Sequence, residues 1–153
     1  MGRERYNLRD MEPVIRKVLA EGGVFPFYPK GTSMEPTIHQ GTDQVLLKAL
    51  PEKLKKYQVI LYKRENGAFV LHRIVRVSKD SVTMRGDNQF YTEPRIRREQ
   101  MIGMVCGLKT PKGEINTESI AFWLKSAIWV ESAAIRRIFL AVKRRISKII
   151  KRK

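Results

Sequence analysis

Tyr57-Gln58-Val59-Ile60-Leu61-Tyr62-Lys63, Arg64-Glu65-Asn66-Gly67, Ala68-Phe69-Val70-Leu71-His72-Arg73-Ile74-Val75-Arg76-Val77 is the stretch that decides the fold. Two apolar runs rich in β-branched residues flank a four-residue polar break. Asn-Gly supplies the positive φ angles of a tight hairpin turn. The runs therefore predict two antiparallel strands. Outward from them, 24–28, 43–49, 81–85 and 101–108 also read as strands, about six in all. Pro26 demotes the first of these to a sheet edge. Regular short strands with turn signals between them predict a mainly β chain, a small antiparallel and partly closed β-domain.

Helices flank that domain. Residues 10–22 predict a short helix: Asp10 caps it, Pro13 sits in its first turn, and Gly22-Gly23 ends it. Val14, Ile15, Val18 and Leu19 give it one apolar stripe, suited to packing on an end of the sheet. Beyond Pro111-Lys112-Gly113 the character changes. Residues 117–152 hold no glycine or proline, and Ile135, Ile138, Phe139, Val142 and Ile146 recur at helical spacing. The expected organisation is an N-terminal helix at 1–23, a β-domain at 24–113 and a basic amphipathic helical tail at 114–153.

The chemistry starts at Gly31-Thr32-Ser33-Met34-Glu35-Pro36. Gly31 frees the backbone before Ser33 and Pro36 fixes it afterwards, a setting for an exposed hydroxyl. A serine needs a base to become a nucleophile. His72 is the candidate, as general base and then general acid. Strand alternation puts it on one face with Val70 and Ile74. An imidazole there needs a polar partner. Asp87, in Gly86-Asp87-Asn88, is the expected one, orienting His72 as a triad carboxylate does.

Ser-Met-x-Pro, a strand bearing His-Arg-Ile-Val and then Gly-Asp-Asn together resemble the type I signal peptidases and the LexA-like self-cleaving repressors. The likeness covers roughly residues 24–108. Most bacterial members place a lysine where this chain has His72. The endoplasmic-reticulum, archaeal and some spore-former signal peptidases place a histidine there, and this chain resembles that branch. The resemblance implies a shared β-fold and serine-type cleavage of extended signal, leader or other precursor peptides through an acyl-enzyme. It also implies small residues before the cut, and no cofactor. The backbone N–H of Ser33 would serve the oxyanion hole. Gly31 stands where some relatives carry a serine donor, leaving Thr32 as a substitute. Met34 is expected to anchor the turn in the core. That branch often carries a second aspartate after Gly-Asp-Asn; the nearby carboxylate here is Glu93. The apolar edge 24–28 could pair with substrate or face a membrane.

Charge defines the partners. The net charge is +16 in 153 residues. Nine of the basic residues (Arg136, Arg137, Lys143, Arg144, Arg145, Lys148, Lys151, Arg152, Lys153) fall after position 135 with no acidic residue among them. Such a tail, with Trp123 and Trp129 upstream, suits an anionic membrane surface. Nucleic acid is the competing anion, but no recognisable binding signature accompanies the charge. No secretory signal and no run of about 18 apolar residues is evident, so a cytoplasmic or peripherally membrane-associated protein is expected. One cysteine, Cys106, excludes an internal disulfide. It is expected to be a buried thiol. His39 and His72 lie too far apart in sequence for a metal motif, so no metal is expected, and His39 is read as exposed and non-catalytic. Two rival readings remain: a self-processing LexA-like regulator, and a non-catalytic binding module with a basic tail.

Overall fold

The computed structural model describes residues 8–150. The N-terminal Met1-Gly2 segment and the tail cations Lys151, Arg152 and Lys153 lie outside that range. Helix α1 (Leu8–Ala20) leads into β1 (Phe25–Phe27), β2 (Gln44–Lys48), β3 (Val59–Lys63) and β4 (Phe69–Val77). There follow β5 (Val82–Arg85), β6 (Glu93–Ile96), β7 (Met101–Thr110) and β8 (Gly113–Asn116), then α2 (Ile120–Glu131) and α3 (Ala133–Ile150).

The eight strands form one antiparallel sheet in the order β1-β2-β7-β3-β4-β5-β6, with β8 beside β7. The hairpin forms as expected, with Val59 opposite Arg73 and Lys63 opposite Phe69. Its turn closes through the Arg64 N–H, which donates to the Ala68 carbonyl at 2.9 Å. The expected partial closure is corrected: the sheet stays open, and β1 and β6 are its edges. Pro26 does sit on an edge strand.

The continuous apolar run of β3 has a simple cause. Val59 and Leu61 point into one core cluster with Ile15, Leu19, Val45 and Leu108. Ile60 and Tyr62 point the other way, into a second cluster with Ile74, Met84 and Met104. The strand is buried on both faces, so it shows no polar alternation. Helix α1 seats Ile15 and Leu19 in the first cluster, which confirms a packing role.

Two strands were not expected. Glu93-Pro94-Arg95-Ile96 contains a proline, which only an edge strand tolerates, and β6 is an edge. β8 is short and exposed throughout. The expected boundary after residue 113 therefore falls inside a strand paired with β7. The expected continuous tail also divides. Ser119 caps α2, its hydroxyl accepting from the Phe122 N–H, and Ser132 separates α2 from α3.

Candidate active site

Ser33 lies in the turn between β1 and β2, half-buried. Gly31 precedes it at φ 89°, a conformation that favours glycine, and its N–H donates to Gln40 Oε1 at 2.8 Å. Met34 is buried at 4% exposure and holds the turn in the first core cluster. The Glu35–Pro36 peptide is cis. The N–H groups of Ser33 and Met34 donate to no acceptor among the described residues. They are therefore available to an oxyanion, as backbone donors of an acyl-transfer site must be. Thr32 is exposed and spends its carbonyl on the Glu35 N–H and the Asn88 amide.

His72 is on β4, opposite Ile60, at 1% exposure. Its Nδ1 lies 3.2 Å from the Tyr62 hydroxyl and 3.3 Å from Glu93 Oε1. Glu93 is in turn gripped by Arg64: Nε donates to Oε2 at 2.8 Å, and Nη2 donates to Oε1. Burial is the main influence on the imidazole. With the Arg64 charge it outweighs the Glu93 and Asp87 carboxylates and pushes the His72 pKa down to about 4. Partial burial would raise the Glu93 carboxyl, but Arg64 and Tyr62 hold it below its ordinary value. The pair is therefore a neutral imidazole beside a carboxylate at neutral pH. An ionised Glu93 favours the tautomer with the proton on Nδ1, leaving the Nε2 lone pair as the base.

Asp87 does not sit on His72, which corrects the expected orienting role. Its carboxylate is 2% exposed and takes two bonds from Arg73, from Nε at 2.8 Å and from Nη2 at 2.6 Å. The Thr37 hydroxyl also donates to it. Arg73 further donates to the Tyr57 carbonyl at 2.9 Å and to Ser126 Oγ at 2.7 Å. The Gly-Asp-Asn box instead clamps the serine turn. The Asn88 N–H donates to the Ser33 carbonyl at 2.8 Å, and its side-chain amide donates to the Thr32 carbonyl at 3.1 Å. Gly86 is required by space, since a Cβ there would lie 2.6 Å from the Ser33 carbonyl oxygen.

Ser33 and His72 line one cleft of about 220 Å³. Pro29, Lys30 and Gly31 border it from the turn; Phe69, Val70 and Leu71 border it from β4. The Ser33 hydroxyl bonds no partner among the described residues, so serine and imidazole share the cleft without touching. Such bonds are often long until substrate arrives. β5 pairs with β4 only from Arg73 onward. β3 covers one side of β4 at 69–72. On the other side, among the described residues, no strand pairs with it there, so that side of β4 is a free edge beside the cleft. Sequence reasoning missed Tyr62, Arg64 and Arg73. The alternation that places His72 also places Tyr62 on the same face, which was the available signal.

The tail cations divide. Arg136 is 6% exposed, donates to the Val130 carbonyl at 3.5 Å and lies over the Phe90 ring at 5.7 Å. It is a packing residue, which corrects its assignment to an anion-binding surface. Arg137 and Arg145 are exposed. The side chains of Lys143, Arg144 and Lys148 lie outside the described residues. Cys106 is half-buried, and burial pushes its thiol pKa up. His39 is exposed and lies 3.4 Å from Asp43, outside the cleft. Among the described residues no group of histidine, cysteine and carboxylate side chains is arranged to hold a metal ion. No described helix is long and apolar enough to cross a membrane. No protein-family model matches the chain, and no curated protein matches it significantly.

Proposed function

We propose that the chain is a serine endopeptidase of the signal-peptidase and LexA type, acting on extended precursor peptides. One observation carries this reading. Ser33 and His72, 39 residues apart in sequence, line the same cleft. The imidazole's Nδ1 is taken up by Glu93 and Tyr62, which leaves Nε2 as the nitrogen free to act as the base. In the proposed reaction the Ser33 oxygen attacks the peptide carbonyl carbon and its proton passes to His72 Nε2. The carbonyl oxygen, now anionic, is met by the Ser33 N–H. His72 then protonates the departing amine and an acyl-serine remains. Water, deprotonated by the same imidazole, releases the acid and restores the serine. Glu93 stabilises the imidazolium that forms, the role first assigned to Asp87. An extended substrate would add to the free edge of β4 at Phe69 and Leu71.

A second reading, a non-catalytic binding module, is favoured by the low basicity of His72. A serine-directed acylating probe followed by mass spectrometry separates the two. The peptidase reading expects an adduct on Ser33 that disappears in Ser33→Ala and falls sharply in His72→Ala. No adduct, together with no cleavage of any precursor peptide, leaves the binding module.

A further inference from the structure

Helix α2 is apolar on two sides. One side covers the sheet: Phe122 joins the first core cluster, and Trp129 donates its indole N–H to the Asp87 carbonyl at 3.1 Å. The other side, Ile120, Leu124 and Ile128, is exposed. A helix apolar on both sides has a second apolar neighbour to find. Helix α3 continues the pattern. Ile135, Ile138, Val142 and Ile146 fall within roughly 80° of arc at about 100° per residue. Their exposures are 49%, 66%, 51% and 52%.

What holds α3 to the body is the margin of that stripe. Phe139 meets Trp129 edge to face, with ring centroids 5.3 Å apart, and Arg136 is buried against Phe90. The helix thus buries a cation and leaves its isoleucines in water. Arg145 borders the bare stripe and Arg137 lies about 100° further round, on the polar side of the helix. Both are exposed, and no acidic residue follows Glu131 in the sequence.

We propose that the outward faces of α2 and α3 seat on an anionic lipid bilayer, the isoleucines entering the interface and the arginines reaching the headgroups. Charge selects this occupant. A second copy of the chain would bring two copies of the acid-free basic helix α3 together with nothing on either to neutralise the other. A nucleic-acid backbone would meet the cations but gain nothing from a central row of isoleucines. A bilayer interface uses both features at once. The proposal stands on α2 and α3 and does not rest on the peptidase reading.

The test is flotation of the full chain with vesicles of phosphatidylcholine, with and without phosphatidylglycerol, at low and high salt. The expected result is binding only to the anionic vesicles, weakened by salt. The double substitution Ile138→Asn, Ile146→Asn should weaken it by about tenfold or more, because apolar burial is lost. Arg137→Gln with Arg145→Gln should also weaken it by about tenfold. These positions are exposed, so unfolding midpoints should not move, and circular dichroism checks this. Absence of binding to anionic vesicles at low salt overturns the proposal. So does binding that ignores the isoleucine substitutions, which marks a purely electrostatic contact. Binding of duplex DNA in place of vesicles, or isoleucine-dependent self-association without vesicle binding, overturns it in favour of those partners.

Discussion

Burial of His72 has a consequence that pH-dependent unfolding reads directly. The folded chain holds the imidazole pKa at about 4, against about 6.5 when unfolded. Between those values the unfolded chain binds the extra proton, so stability rises with pH across that window. A gap of about 2.5 units, at about 1.4 kcal/mol each, is worth about 3–4 kcal/mol. That contribution is fully present above pH of about 6.5, and it is lost as pH falls to about 4. His72→Gln keeps a polar group of similar size but cannot titrate. The assay is urea unfolding of both proteins at a series of pH values from 4 to 7. The wild type should lose about 3–4 kcal/mol more than the variant on acidification. Carboxylates away from His72 titrate alike in both proteins, so the difference reads the His72–Glu93 pair. A matching proton NMR titration has only two histidine signals to assign, His39 and His72. Parallel pH profiles for wild type and variant, or a His72 signal titrating at its ordinary value, would refute the reasoning.

Other perturbations test the rest of the site. Arg73→Leu removes the partner of the buried Asp87 carboxylate and should cost about 3–5 kcal/mol in urea unfolding. Adding Asp87→Leu should return part of that loss, because no unpaired charge then remains buried. Gly86→Ala places a methyl group 2.6 Å from the Ser33 carbonyl. It should cost about 1–3 kcal/mol and lower kcat through the displaced serine turn. Glu93→Gln should lower kcat at least tenfold while leaving KM nearly unchanged, since the lost charge faces the imidazolium and Arg64 and not the bound peptide. Asp87→Asn should act mainly on the unfolding midpoint.

Much of the fold was legible because turn chemistry and apolar runs agree. Asn66-Gly67 names the hairpin, and the apolar run Val59 to Tyr62 beside it reads as a strand; its burial on both faces is seen only in the structure. The edge strand Glu93–Ile96 was hidden by its proline, which reads as a breaker until an edge is known to exist. Closure was misjudged because strand count says nothing about whether β1 and β6 meet. Ser33 and His72, which the structure brings to one cleft, were picked out by residue type and order. The partner of His72 was not, because two carboxylates were available and sequence spacing does not rank them. Asp87 has the stronger motif, but it is spent on Arg73, the neighbour of His72 on the opposite face of β4. Glu93 looked remote until β5 and β6 carried it back beside β4. Arg136 shows the same limit: in a run of cations, nothing local tells which one is buried.

The central claim is that Ser33 and His72 act together on a peptide bond. The most direct measurement is cleavage of a panel of precursor peptides with small residues before the cut, by wild type, Ser33→Ala and His72→Ala, from pH 3.5 to 9. The account predicts cleavage by the wild type alone. It places the acid limb of kcat/KM near pH 4, where the His72–Glu93 pair takes up its proton, rather than near 6.5. Cleavage that persists in Ser33→Ala, or a wild type inert toward every peptide across that range, would contradict it.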